Sequence, residues 1–505
     1  MTDNKNGGDI FPAISNNPLP QEPASCHQVL IMLLKQVCSL NFKLERHPKV
    51  IALRKRLENR EPTKDELAGL KLQLDDKKVT EQQYLVICIE HLIRLAARHN
   101  WGLRKDNGAA YIYNGAFWAL IDDAELEWFL GKAAEQMGVY VFNSRHYLFR
   151  EKLRKQFCAS AYLTPSVRKT DEVLINLRNG TFEISPAHRR CRPFNRQDFL
   201  TYQLPFNYDP AAEAPMFRKY LERVLPDESC QKVLAEYIGY LFFNNRTLKL
   251  EKMLLLYGAG ANGKSVFFEI ITAMLGNENV SNFTLESLTE KNGYYRAKIG
   301  TVLVNYASEI STRMDNFFFK QMVSGEPIEA RLPYGEPFKL ENYAKLIFNC
   351  NALPRDVEQS NAYFRRFLII PFNVTIPEAE QDRQLSSKIV ASELSGVFNW
   401  VLDGVERLLA NRGFTDCKAA SEEVAKYRLE TDSVAQFIED NEYIQSTENY
   451  ILMPTLYREY RCFCEENGFH PLSKPNFRKR LEAKNIVISR INIGNVVYIQ
   501  KKPLI

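Results

Sequence analysis

No stretch of the 505-residue sequence approaches the about 20 consecutive apolar residues that a membrane-spanning helix needs. The longest early apolar run, Val29 to Leu34, stops at Lys35. The opening segment, MTDNKNGGDIFPAISNNPLPQEPAS, is polar and rich in Pro, Gly and Asn. No apolar stretch follows a basic start, so no secretory signal is expected. Ten cysteines are present, yet none belongs to a paired CxxC arrangement, and Cys462 and Cys464 form only a CxC. That pattern predicts reduced thiols in a cytoplasmic protein and no structural zinc. An excess of charge is also missing: 66 Lys and Arg face 61 Asp and Glu, a net +5. Bulk charge therefore selects no nucleic-acid partner, and the placement of the basic residues matters more. The sequence has no internal repeat and no low-complexity tract beyond its first residues.

What is there is an ordinary globular composition, 45% hydrophobic and 25% charged. The chain is too long for one core, and roughly 100–200 residues per domain gives about three domains. Residues 1–25 read as a flexible leader. Residues 26–100 read as helical, because HQVLIMLLKQVCSLNF and EQQYLVICIEHLIRLAARHN repeat apolar residues at spacings of three and four. The charged stretch between them, RKRLENREPTKDELAGLKLQLDDKK, suits a solvated helical face. In 101–245, AAYIYNGAFWALID and EVLINLRNGTFEI set Asn-Gly between short β-prone runs, the composition of tight hairpin turns, before helix returns. Residues 246–415 alternate strand and helix signals, as an α/β core does.

The most informative stretch is YGAGANGKSVFF, residues 257–268. A short apolar strand, Lys252 to Tyr257, precedes it and an apolar helix, Val266 to Leu275, follows. Gly258, Gly263, Lys264 and Ser265 meet the pattern G-x-x-x-x-G-K-[ST] in the strand–loop–helix setting the pattern requires. Such a loop turns successive backbone N–H groups around phosphate oxygens, and the helix N-terminus adds its positive end. Gly258, Ala259, Gly260, Ala261, Asn262, Gly263, Lys264 and Ser265 are thus the expected ATP-binding residues, with Lys264 on the β- and γ-phosphates and Ser265 on Mg²⁺.

A hydrolytic site also needs an acid near the metal and a group that orients water. The hydrophobic stretch Thr301 to Ala307 ends in Ser308-Glu309, which makes Glu309 the candidate for both water activation and metal support. The next strand, Lys345 to Cys350, is followed by Asn351, a candidate partner of the γ-phosphate or the attacking water. Asn349 is two residues away and by strand alternation shares its side. Arg365 and Arg366 precede the apolar run Leu368 to Phe372, and either, with Arg366 favoured, is suited to neutralise transition-state charge on a neighbouring subunit's ATP.

Taken together, GAGANGKS, VNYASEI, FKQMVSGEPIEARLPYGEPFKL, KLIFNCNALP and AYFRRFLIIPF resemble superfamily 3 helicases. The resemblance is strongest to the helicase part of phage and plasmid primase-helicases and their poxvirus-type relatives, and it covers about residues 100–500. It implies a multidomain α/β fold, with a P-loop, AAA+-like ATPase core at 246–415, a helical N-terminal domain at 26–100, a family-specific region at 101–245 and a C-terminal winged helix at 430–505. It also implies a homo-hexameric ring with ATP between subunits, single-stranded DNA through its centre, and a DNA-gripping β-hairpin, here Ile328 to Leu340. Arg331, Tyr334 and Lys339 are the DNA contacts so implied. Many members carry two adjacent acids where this chain has Ser308-Glu309, and Glu336 makes the hairpin less basic.

The primase chemistry of many relatives needs clustered carboxylates, and neither Asp75-Asp76, beside Lys77-Lys78, nor Asp122-Asp123, at a turn or helix start, fits that task. The C-terminal segment is locally basic: Lys474, Arg478, Lys479, Arg480, Lys484, Arg490, Lys501 and Lys502 stand against one acid, Glu482. Lys474, Arg478, Lys479 and Arg480 lie on a helix that Ser473 is placed to cap, ahead of two strands.

The function expected is an ATP- and Mg²⁺-dependent DNA helicase for replication of a phage, plasmid or mobile element. It would act on single-stranded and forked DNA, without a membrane, and the N-terminal region would serve assembly or dock a primase or origin-binding protein. The alternatives are a DNA-stimulated ATPase or translocase, an origin-melting factor without processive unwinding, and a DNA-binding adaptor with a degenerate nucleotide site.

Overall fold

The computed structural model describes residues 23–57, 60–74, 76–106, 109–161, 171–186, 188–245, 247–308, 310, 314–332, 335–354 and 358–502. The chain divides into two compact units. One comprises Met1–Val167, Asn176–Phe182 and Cys191–Gln203, and the other Arg168–Ile175, Glu183–Arg190 and Leu204–Ile505. Among the described residues no helix is long and apolar enough to cross a membrane.

In the first unit, helices Cys26–Gln36 and Glu81–Arg98 each start at a capping box, Ser25 with Gln28 and Thr80 with Gln83. Their apolar faces meet those of helices Asp123–Met137 and Tyr147–Ser160 in one hydrophobic cluster that runs from Val29 to Ala161. The cluster also takes in Ile112 and Ile121 of an antiparallel sheet, Leu103–Asp106, Ala109–Tyr113 and Trp118–Ile121. The expected division near residue 100 is therefore not a division of the core: the early helices bury their apolar stripes on the segment that follows. At the Asn114-Gly115 turn, Asn114 Oδ1 accepts from the amides of Ala116 and Phe117, and Gly115 holds φ at 100°. Asp122 caps the helix Asp123–Met137 by accepting from the amides of Ala124 and Glu125, which gives this acidic pair a structural task. Asp75 lies outside the described residues.

The second unit is organised by a five-stranded sheet of β1 (Met253–Tyr257), β2 (Val280–Ser281), β3 (Val304–Ala307), β4 (Lys345–Cys350) and β5 (Phe367–Pro371). The order is β5-β1-β4-β3-β2 and every pairing is parallel. Met253 to Leu256 are all fully buried. A strand covered on both faces reads as an unbroken apolar run instead of an alternating one, as it does here. Helices α1 (Glu228–Tyr240), α2 (Lys264–Leu275), α3 (Leu394–Asn411) and α4 (Lys418–Glu430) belong to this unit. α1 and α3 cross closely because Gly404 presents no side chain, and a Cβ there would lie 2.5 Å from the Ala235 carbonyl carbon. Glu236 of α1 is fully buried and pairs with Arg407 of α3 at 2.7 Å.

The C-terminal part of this unit has its own core, in which Tyr460 stacks on Phe477 at 4.4 Å. Helices Ser433–Asp440, Met453–Asn467 and α5 (Lys474–Ala483) surround it. Ser473 holds the N-cap position of α5 without a side-chain cap bond. Strands Ile451–Leu452, Gly494–Val497 and Ile488–Ile491 form a small sheet in that order, while Ile499–Lys501 pairs with Tyr443–Gln445. The pieces at 443–445 and 451–452 are too short to show a period in sequence.

Candidate nucleotide site and nucleic-acid surface

The loop after β1 leaves the sheet between its two neighbours. The Gly258 amide donates to Cys350 O of β4 at 3.2 Å, and the amide of Phe372, just after β5, donates to Tyr257 O at 2.7 Å. Gly258, Ala261 and Gly263 hold φ at 157°, 57° and 87°. A Cβ on Gly258 would stand 2.3 Å from Phe372 O, so the close approach requires glycine. The Ile376 amide fixes Ala261 O at 2.7 Å, and the buried Tyr220 hydroxyl donates to Gly263 O at 2.8 Å. Gly263 is the N-cap of α2 and supplies no capping side chain. The first-turn N–H groups are thus left without a capping oxygen, the arrangement that takes an anion.

Lys264 lies buried under this loop. Its Nζ donates to Gly258 O at 2.6 Å, Ala259 O at 3.1 Å and Asn262 Oδ1 at 3.0 Å. Asn262 Nδ2 in turn donates to Phe372 O at 3.0 Å. Burial pulls the Lys264 ammonium below the ordinary lysine pKa. Among the described residues no carboxylate pairs with Lys264. A buried cation satisfied by neutral oxygens, beside an uncapped helix start, fits a phosphate chain. Ala259, Gly260, Ala261 and Ser265 are exposed around it.

The ends of β3 and β4 stand next in the sheet. Asn351 follows β4 directly, is exposed, and comes beside the loop because Cys350 pairs with Tyr257. Asn349 is buried and accepts from the Tyr306 hydroxyl at 3.1 Å, so its amide is committed inside the fold. β3 ends at Ala307 and Ser308 is exposed. Glu309 lies outside the described residues. The adjacent arginines separate. Arg366 is buried and donates to Ser324 Oγ through Nε and Nη2 and to Ala362 O through Nη1. Arg365 is half exposed and pairs with Glu251 at 2.6 Å. Of the two, the sequence reading favours Arg366 for action in trans; in the structure Arg366 is the one committed to an internal network and Arg365 the exposed one.

An antiparallel pair, Ile328–Ala330 with Phe338–Leu340, forms the segment 328–340, with Glu329 opposite Lys339. Lys339 is exposed and pairs with Glu341 at 3.0 Å, and Arg331 Nε donates to Gly335 O at 2.7 Å. Tyr334 lies outside the described residues. On α5, Phe477 and Leu481 face the core, whereas Lys474, Arg478 and Lys479 are exposed. Arg478 pairs with Glu482 one turn on, at 2.9 Å. Arg480 turns away from solvent to Asp432 at 2.9 Å and to Gln359. It is thereby removed from the exposed basic face that the sequence assigns to it.

Three family matches tile much of the chain. Residues 90–226 match the family described as D5 N terminal like, and residues 429–503 match the family described as Poxvirus D5 protein-like. Residues 256–366, which include the loop, match a family of unknown function, DUF5906. A protein of Acanthamoeba polyphaga mimivirus named "Putative helicase L207/L206" is 25% identical over 240 residues. That match covers 44% of this chain and 24% of the viral protein, so the chain spans about a quarter of the length of this curated relative. Two segments of the chain, 90–226 and 429–503, are thus D5-like. Solved structures of the NrS-1 C terminal region are also similar to this chain. Two of them are 11% identical, cover 81% and 83% of the chain and 99% of their own length, and give TM-scores of 0.44 and 0.47.

Several residues that build the candidate site carry no sequence signal of their own. Tyr220 reaches the loop from helix Pro215–Val224, and Ser324 reaches Arg366 from the end of helix Asn316–Val323. Glu251, the partner of Arg365, sits just before β1 with φ at 53°. All three serve residues distant in sequence or across an element boundary, which local spacing does not reveal.

Proposed function

We propose that the chain is an ATP-driven DNA helicase of superfamily 3 type, working as a homo-hexameric ring in replication of a phage, plasmid or mobile element. In this reading 246–415 is a P-loop, AAA+-like motor and 430–505 a winged helix. The observation that carries it is the buried Lys264 ammonium, held by neutral oxygens under a glycine-shaped loop whose helix start lacks a capping side chain. The parallel order β5-β1-β4-β3-β2 supports it, since ligands of such sheets bind at the carboxyl ends of the strands.

When ATP binds, Lys264 exchanges its carbonyl partners for β- and γ-phosphate oxygens. Ser265 and Glu309 are the residues that would hold Mg²⁺, which would supply positive charge against the phosphate oxygens. Glu309 takes a proton from the attacking water and Asn351 orients that water. Arg365 of a neighbouring subunit meets the charge that develops on the transferred phosphoryl group. Its pairing with Glu251 is a partly exposed one, of the kind worth about 0–1 kcal/mol, so it exchanges readily. Single-stranded DNA is gripped by Arg331, Tyr334 and Lys339, and Lys474, Arg478 and Lys479 meet phosphates at the fork. The first unit serves assembly or docks a primase or origin-binding protein.

The test is ATP-dependent strand separation on a forked duplex, with Lys264→Ala beside the parent. Unwinding by the parent and none by the variant is the expected result. DNA-stimulated hydrolysis without separation would make the chain a translocase or origin-melting ATPase, and no hydrolysis would make it an adaptor.

A further inference from the structure

The fold brings together two cysteines that the sequence keeps far apart. Cys230 lies on the first turn of α1, and Cys417 is the N-cap of α4. Both are buried, and their sulfurs are 3.4 Å apart. Asp227, the N-cap of α1, brings a carboxylate oxygen to the same point: the three donor groups lie within 4.8 Å of one another. Asp227 Oδ1 accepts from the Ser229 amide at 2.8 Å and the Ser229 hydroxyl at 2.7 Å, and this carboxylate is the exposed member of the three. The absence of a CxxC pair sets zinc aside at the level of sequence, but here proximity in space replaces proximity along the chain.

We propose that Asp227, Cys230 and Cys417 form a binding site for a soft, d¹⁰ divalent cation of the zinc class, with a water as fourth ligand. Tetrahedral coordination with metal–sulfur bonds of about 2.3 Å sets two thiolates about 3.8 Å apart. The sulfurs need only separate slightly to reach that distance. A disulfide, at about 2.05 Å, would need them to close by much more. The approach of Cys417 is also fixed independently of any metal. Buried Glu236, further along α1, accepts from the Thr415 amide at 2.8 Å and the Thr415 hydroxyl at 2.5 Å, and it is braced by Arg407 at 2.7 Å. Phe414 stacks on Tyr237 at 6.0 Å. The segment leading to Cys417 is therefore strapped along α1, which preorganises the donors. The cation ties α1, ahead of the nucleotide loop, to α4, whose Tyr427 hydroxyl donates to Pro354 O at 2.9 Å just beyond Asn351. The site is distinct from the Mg²⁺ position at Ser265, because thiolates select against hard cations.

The experiment uses the full chain, purified under reductant, stripped with a chelator and titrated with Zn²⁺ against a chromogenic chelator. Co²⁺ serves as the spectroscopic probe. The expected result is one Zn²⁺ per chain, and with Co²⁺ a sulfur-to-metal charge-transfer band that Mg²⁺ does not displace. Cys230→Ser with Cys417→Ser abolishes both. Asp227→Asn keeps the helix cap and the band but weakens binding about 10-fold or more. The asparagine variant keeps the test informative where the double serine variant fails to fold. Three results overturn the proposal: no uptake by a chain whose thiols are shown to be reduced, uptake that survives in the double serine variant, or a Cys230–Cys417 disulfide that persists under reductant.

Discussion

Arg366 turns inward to Ser324, with Nε and Nη2 at 3.1 and 2.7 Å from its Oγ, while Arg365 beside it faces outward with a side chain 47% exposed. Neighbours in sequence thus have opposite tasks. Arg366→Ala is expected to destabilise the second unit by about 2–3 kcal/mol, because it strips a buried network of its donors. Arg365→Ala is expected to leave thermal unfolding unchanged and to lower ATP turnover by about 1,000-fold or more, as loss of a trans-acting arginine does. Mixing distinguishes action in trans from action in cis. Under the proposed assembly, mixed Arg365→Ala and Lys264→Ala chains should recover part of the turnover that neither variant has alone. Parental turnover by Arg365→Ala would remove it from the site.

The first two glycines of the loop make a second contrast. A Cβ on Gly258 meets Phe372 O at 2.3 Å, whereas nothing lies within 4 Å of one on Gly260. Gly258→Ala should cost about 1–3 kcal/mol and abolish nucleotide binding, since the strand-to-loop exit must shift. Gly260→Ala should unfold at the parental temperature. Calorimetry with and without nucleotide checks both, and equal behaviour of the two variants would contradict the loop geometry.

The strand–loop–helix around Gly258 to Ser265 was legible because its signal is contiguous: strand, glycines, lysine and helix follow one another, and the apolar run of β1 announces a strand buried on both faces. The sheet order was not, because a parallel strand's neighbours are set by crossovers and no residue in β4 records that it lies between β1 and β3. The choice between Arg365 and Arg366 needed burial, and Arg480 needed Asp432, which lies 48 residues away. Asn349 and Asn351 share a strand side by alternation, yet Tyr306 claims the first and the strand's end frees the second. Near residue 100 the change from helical to β-prone composition marks a change of element inside one hydrophobic cluster, which composition alone does not reveal.

His91 gives the first unit a sensitivity to acid. It is buried, its Nδ1 has no hydrogen-bond partner, and desolvation holds its pKa down to about 4, against a pull upward from Glu61 and a push downward from Arg94, Arg98 and Arg54. Between the unfolded value of about 6.5 and the folded value the unfolded chain binds the extra proton, so stability falls as pH drops through that window and is fully present above it. The contribution is on the order of 2–3 kcal/mol. Amide exchange across Glu81–Arg98 should therefore quicken from pH 7 to pH 5 once corrected for intrinsic rates. His91→Leu should flatten that dependence. An identical pH response in parent and variant would place the acid sensitivity elsewhere.

The basic face of α5 yields a prediction about DNA that separates charge from structure. Lys474 and Lys479 are exposed, whereas Arg480 is bound to Asp432, which also pairs with Lys484 at 3.0 Å and caps helix Ser433–Asp440 through the amides of Val434 and Ala435. Lys474→Ala with Lys479→Ala should weaken duplex binding evenly across sequences and lower the slope of log affinity against log salt by about 1.8, two phosphate contacts' worth. The variant should unfold as the parent does. Arg480→Ala should do the reverse: it should lower C-terminal stability by about 1–2 kcal/mol, with Lys484 still holding Asp432, and leave the salt slope unchanged. Fluorescence anisotropy over a range of salt reads the first effect and denaturant unfolding the second. A fall in slope for Arg480→Ala equal to that for one lysine would mean that DNA draws the guanidinium away from Asp432, and the C-terminal part would then rearrange on binding instead of docking as a rigid body.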